Sequence, residues 1–153
     1  MVPCDGNFTT AIAKGNHKAG EIQGQTRQHS RLINLLGVKQ IAIGCNKMDC
    51  DTAGYKKARY EEVSNEMGSM LVKVGWKKDM VEMQIPFLPI SGWIGDNLLK
   101  CEDSKGVENM DWWSGCDIEV AGAPMHVDTV YDFLDKVCKV PERPPPSLAL
   151  VSA

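Results

Sequence analysis

Apolar positions along this chain follow two different rhythms. Two short continuous runs, Ile41-Ala42-Ile43-Gly44-Cys45 and Ile85-Pro86-Phe87-Leu88-Pro89-Ile90, are cut off by polar residues, the first by Asn46-Lys47-Met48-Asp49 and the second by Ser91-Gly92-Trp93. Runs of this length without alternation read as strands buried on both faces, as in parallel sheets covered by helices. Residues 1–4 read as the stump of another strand. Elsewhere the period is helical. Tyr60, Val63, Met67, Met70, Leu71 and Val74 share one stripe, preceded by a turn and helix start at 51–54 and stopped by Gly75, with Glu61, Glu62, Glu66, Lys56, Lys57 and Arg59 on the wet side. Residues 26–36 predict a second helix, capped by Thr26, stopped by Gly37 and packing through His29, Leu32, Ile33 and Leu36, with the next strand following directly from Val38. A last helix begins at Asp128, with Val130, Phe133, Leu134, Val137 and Cys138 on its stripe, and Gly95-Asp96-Asn97 caps a short helix carrying Leu98 and Leu99.

Between these elements the pattern breaks. Gly6, Gly15, Gly20 and Gly24 interrupt any period over residues 5–24, which predicts a long loop presenting Lys14, His17 and Lys18 to solvent. Residues 100–124 are glycine-rich, polar and irregular, with Trp112 and Trp113 anchoring that loop to the body. Pro141, Pro144, Pro145 and Pro146 read as a linker. Strand, helix, strand in that order makes an α/β fold of about three parallel strands flanked by helices, and places the two strand ends side by side.

Bulk properties narrow the classes. A chain of 153 residues with 43% hydrophobic composition holds one domain with a real core and is not a disordered segment. A net charge of −3 leaves no electrostatic footprint for independent nucleic-acid binding. Six cysteines without a CxxC pair or companion histidines read as reduced thiols, not a zinc site. No apolar run approaches the roughly 20 residues of a membrane span, and no signal peptide is visible, so the expected location is the cytoplasm.

Ligands of open parallel sheets sit beyond the carboxyl ends of the strands, where both polar clusters fall. Guanine offers a ring N–H beside an exocyclic amine, and one carboxylate, Asp49, can accept from both. Adenine lacks that pair of donors and would leave the carboxylate unpaired. Asn46 can pin the turn or touch the base, and Lys47 can lay its methylene stem along a flat ring. Gly92 lets the backbone approach a ligand, so that its N–H can bond the guanine carbonyl oxygen; Trp93 offers an aromatic face. Against this stands the plainer view that Asn46 to Asp49 is an ordinary polar loop and Trp93 a packing residue.

The run GVKQ…NKMD ending at Asp49, PISGWIGDNLL from Pro89 and DGNFTTAIAKGNHKAGEIQGQTRQHS from Asp5 resemble the GTP-binding domain of the eukaryotic elongation factor 1-alpha family. The resemblance implies GTP or GDP as ligand, guanine selection by Asn46, Lys47 and Asp49, and closure over the base by Ser91, Gly92 and Trp93. It implies aminoacyl-tRNA, the ribosome and a nucleotide exchange factor as partners of the intact factor. The family's GxxxxGK[ST] loop and its Asp-x-x-Gly-His segment, which hold phosphates and Mg2+ and orient water, do not occur in these residues. Residues 1–140 are therefore expected to be the carboxyl-side portion of a partial P-loop GTPase domain, unable to hydrolyse GTP by itself, with 141–153 a proline-rich linker or non-native tail. The alternative is a non-catalytic interaction fragment with a vestigial nucleotide pocket. Half a sheet exposes an apolar edge, which predicts marginal stability or self-association.

Overall fold

Three strands, β1 (Val2–Pro3), β2 (Ile43–Asn46) and β3 (Phe87–Pro89), form a parallel sheet in that spatial order. The computed structural model describes residues 1–16, 18, 21–99 and 109–140; the expectations for His17, for 100–108 and for the tail 141–153 fall outside the described residues. Register pairs Val2 with Cys45, and Ile43 with Phe87 through to Cys45 with Pro89. Ile43, Gly44 and Cys45 of β2 are all buried, as a two-sided strand requires. A Cβ on Gly44 would come 2.7 Å from Met1 Sδ and 3.0 Å from Ile90 Cδ1, which explains a residue without a side chain there. The strand does not run on from Val38 as expected, because pairing with β3 begins only at Ile43 and pairing with β1 only at Cys45.

The expected crossover joins β2 to β3 through α3 (Lys57–Val74), which buries Val63, Met67, Met70 and Leu71. Its helix begins at Lys57, after a run of turns over 51–55, and ends where Gly75 adopts φ 120. A further short helix, α4 (Lys78–Met83), was not foreseen. One core cluster joins Val2, Phe8, Ile12, Cys45 and Met48 to the inner face of α3. A second lies on Leu88 and Ile90 and contains Ile118, Val127, Phe133 and Val137.

Several expectations are corrected. Residues 5–24 are not all loop: α1 (Phe8–Ile12) buries Phe8 and Ile12, apolar anchors among polar neighbours. The second helix, α2 (Gln25–Leu35), starts at a Gly24 cap that lacks a side-chain hydrogen bond, not at Thr26. Its fully buried residue is Ser30, and Ile33 is half-buried against the core as expected, while His29, Leu32 and Leu36 face out. Leu98 and Leu99 lie in turns, because Asp96 pairs back to Ser91 and closes the segment before a helix can start. Residues 116–124, part of the stretch expected to be irregular, form with 125–127 a hairpin of β4 (Cys116–Val120) and β5 (Ala123–Val127). Its turn carries Ala121 at φ 55 and Gly122 at φ 85, both positive as a two-residue primed turn demands. The last helix, α5 (Val130–Asp132), is capped by Thr129, whose hydroxyl accepts from Asp132 N at 3.1 Å, and not by Asp128. It widens into a π-helical segment, Phe133–Val137, which leaves Leu134 exposed.

Trp112 and Trp113 anchor their segment as expected. Their indole N–H groups donate to Tyr55 O at 2.7 Å and Asp128 O at 2.9 Å, and both rings pack on Tyr60. Among the described residues Cys4, Cys45, Cys50, Cys116 and Cys138 are free thiols.

Candidate base-recognition site at the strand ends

Two strand ends are stapled by backbone. Ile90 N donates to Cys45 O at 2.9 Å, and Met48 N donates to Ile90 O at 3.2 Å, so the loop after β2 is held against the loop after β3. Met48 is fully buried and acts as the anchor that turns its polar neighbours outward. Lys47 takes φ 67, the sharp corner that frees Asn46 and Asp49 to face the second loop.

Five of the six residues singled out from sequence meet here. Ser91, buried, donates from Oγ to Asp49 Oδ1 at 2.5 Å. Asn46 Oδ1 accepts from Lys47 N at 2.8 Å and from Gly92 N at 2.9 Å, so one side chain spans both loops. The Gly92 amide, expected to meet a base carbonyl, is thus held by Asn46. A Cβ on Gly92 would sit 3.3 Å from Asn46 Oδ1, tight enough to press on that bridge. Lys47 Nζ reaches away to Asp5 Oδ2 at 2.6 Å instead of lying along the crevice, and this pairing raises the lysine's pKa and lowers that of Asp5. Trp93 joins none of them. It is 92% exposed, so the packing role considered for it does not hold.

Three contributors were not visible in sequence. Tyr55 donates its hydroxyl to Asp96 Oδ2, and burial followed by that carboxylate pushes the phenol well above its ordinary pKa, so it remains a donor. Asn97 Nδ2 donates to Pro89 O at 2.9 Å, bracing the end of β3 from beneath. Asp5 holds Lys47 across the end of β1. The contacts of Asp5 and Tyr55 span 42 and 41 residues, and Asn97 reaches back eight; the available signal was a cluster of Asp and Asn around Gly95, which reads simply as a turn.

What remains open to a ligand is the second oxygen of Asp49, which makes no hydrogen bond among the described residues, beside the exposed Gly92 and Trp93. A half-buried carboxylate fixed through one oxygen presents the other as an acceptor of defined direction. Two cavities lie elsewhere: one of about 630 Å3 between α3, α4 and β4, and one of about 650 Å3 beside α2. Among the described residues no group of three or more His, Cys, Asp or Glu is placed to hold a metal ion, and no helix is long and apolar enough to cross a membrane.

The sequence model described as "Elongation factor Tu GTP binding domain" matches residues 5–140. The chain belongs to this family. Relatives of this GTP-binding domain include an elongation factor 1-alpha of Blastocystis hominis, 50% identical over 106 residues, and one of Euglena gracilis, 37% identical over 136. The alignments take in 69% and 89% of this chain but 23% and 26% of those proteins, so the chain spans about a quarter of their length. Two solved structures of sup35, one complexed with GDP and one with GMPPNP, share the fold at TM-scores of 0.65 and 0.67 with 21% and 20% identity. They cover 88% and 90% of this chain, and 27% and 28% of their own. The parallel α/β fold and the family expected from sequence therefore stand.

Proposed function

We propose that this chain supplies guanine recognition for a translation elongation factor, with Asp49 accepting from the base edge and Asn46, Ser91 and Gly92 fixing the two loops that present it. The observation that carries the reading is the Ser91 Oγ to Asp49 Oδ1 bond of 2.5 Å, which orients one carboxylate oxygen and leaves the other for a ligand. Trp93 stands exposed beside it as a face for the purine ring, and Lys47 can exchange its bond to Asp5 for the ring's other face. Family membership supports GTP and GDP as ligands. Delivery of aminoacyl-tRNA to the ribosome and contact with an exchange factor belong to the intact factor in this reading. Phosphate and Mg2+ contacts would come from outside these residues, and the chain by itself would not hydrolyse GTP. Without phosphate contacts the base alone gives weak binding, roughly micromolar to millimolar.

Titration calorimetry with GDP and ADP tests this. Wild type should prefer GDP, Asp49→Ala should lose the preference, and Asp49→Asn, which puts a donor where an acceptor stood, should shift it toward a base with a carbonyl at that edge, as in xanthosine diphosphate. A second reading, an interaction fragment with a vestigial pocket, has two bonds on its side: Gly92 N and Lys47 Nζ are already occupied by Asn46 and Asp5. Equal, undetectable heats for GDP and ADP would favour it, and measurable GTP turnover would overturn the expectation of inactivity.

A further inference from the structure

We propose that the groove beside α2 binds a compact anion carrying two or more phosphate groups. Lys14, Arg27, Arg31 and Lys73 line this concavity of about 650 Å3 together with Gln23 and Val74, and among the described residues no carboxylate lines it. That is unexpected in a chain with 20 acidic residues against 17 Lys and Arg. The cations arrive from separate segments: Lys14 from the stretch between α1 and α2, Arg27 and Arg31 from α2, and Lys73 from the last turn of α3.

Among the described residues Lys47, Lys57, Arg59, Lys78 and Lys136 each pair with a carboxylate, whereas Lys14, Arg31 and Lys73 do not; Lys18, Lys39, Lys56, Lys77 and Lys139 also lack such a partner, so it is the convergence of four cations on one groove that marks the place. Arg27 and Arg31 are one turn apart on the same helix, a like-charge spacing that destabilises a helix unless something negative sits over it. Lys73 is also favoured by the end of its own helix, but that end gives no reason for the other cations to converge there. Arg27 Nε donates to Ile12 O at 2.8 Å, which fixes one guanidinium at the groove wall.

The chemistry of the occupant follows from the charge count and the donor shape. Two phosphate groups bring about −3 to −4 at neutral pH, which matches the cations; a lone carboxylate does not. Guanidinium forks bond paired phosphate oxygens, and lysines add point charge. The volume is within the range of about 300 to 1,000 Å3 typical of small-ligand sites. None of the lining residues belongs to the strand-end site, so this inference is independent of guanine recognition.

Titration calorimetry on the full chain decides it, using sodium pyrophosphate, sodium sulfate and single-stranded oligouridylate at matched ionic strength. Pyrophosphate should bind one to one and at least about tenfold tighter than sulfate, and the Lys14→Gln/Arg31→Gln pair should weaken it by about tenfold or more, with the melting midpoint unchanged. Asp49→Ala should leave it unaltered. Should the double variant fail to fold, Lys73→Gln must show the same weakening. Equal affinity for sulfate, indifference to the substitutions, loss in Asp49→Ala, or tighter binding of oligouridylate than of pyrophosphate would each overturn the proposal.

Discussion

Helices α2 and α3 each carry a readable apolar stripe into the same fold and use it differently. Val63, Met67, Met70 and Leu71 of α3 are all buried, whereas Leu32, Leu35 and Leu36 along α2 are 53, 74 and 71% exposed. The fully buried residue of α2 is Ser30, with Ile33 half-buried near it; Ser30 Oγ donates to Thr26 O at 2.7 Å and its carbonyl accepts Trp76 Nε1 at 3.2 Å. Helical period tells which residues share a face; it does not tell which face meets the core. For α3 the two questions have one answer, because the opposite face is charged. In α2 both faces hold plausible contacts, and a tryptophan from the end of α3 selects the small polar one.

The largest effect expected from this contrast is in stability. Leu71→Ala should cost about 2 to 5 kcal/mol of unfolding free energy, and Leu35→Ala should stay within about 0.5 kcal/mol. Urea midpoints measure both, and a Leu35→Ala loss as large as that of Leu71→Ala would break the comparison. Next comes the bond that joins the two helices. Trp76→Phe keeps most of the ring but leaves the Ser30 carbonyl without its donor, and should cost about 1 to 3 kcal/mol. An unchanged midpoint would mean that the indole N–H does not set the facing of α2.

The smallest effect involves neither helix. His126 on β5 bonds Asp117 Oδ1 at 2.7 Å through Nδ1 and Asp128 Oδ1 at 3.0 Å through Nε2. The Asp117 bond first, then Asp128, raises its pKa above 6.5. The folded state therefore favours the imidazolium: the stabilisation is fully present below pH 6.5 and is lost as pH rises through the raised value. The pair is well solvated, so the melting temperature should fall slightly over that window and His126→Gln should flatten the profile. A melting temperature that rises over the same window would contradict the assignment.

Most of the sheet was legible in the sequence because strands buried on both faces leave uninterrupted apolar runs; β2 and β3 announced themselves that way. The β4–β5 hairpin did not. Cys116, Ile118 and Val120 alternate with Asp117 and Glu119, and Met125 and Val127 with His126, but Gly122 and Pro124 sit within the segment and read as loop. At the candidate site, Asn46, Asp49, Ser91 and Gly92 were legible because each ends a readable strand. Asp5, Tyr55 and Asp96 were not, since their parts depend on contacts spanning 42 residues from Asp5 to Lys47 and 41 from Tyr55 to Asp96. The start of α2 was missed where Gly24 stands at the cap and that of α3 where Lys56 does, neither offering a side-chain acceptor, whereas at α5 the neighbouring Thr129 takes the capping place expected of Asp128.

The two strand ends are expected to read a base without help from phosphates. Titrating the 15N-labelled chain with guanosine, which carries no phosphate, and following amide and indole resonances tests it most directly. Shifts confined to Asn46, Lys47, Asp49, Ser91, Gly92 and Trp93, and absent with adenosine, are the predicted result. Equal shifts with adenosine, or shifts centred on α2 or the hairpin while the strand-end resonances stay still, would contradict it.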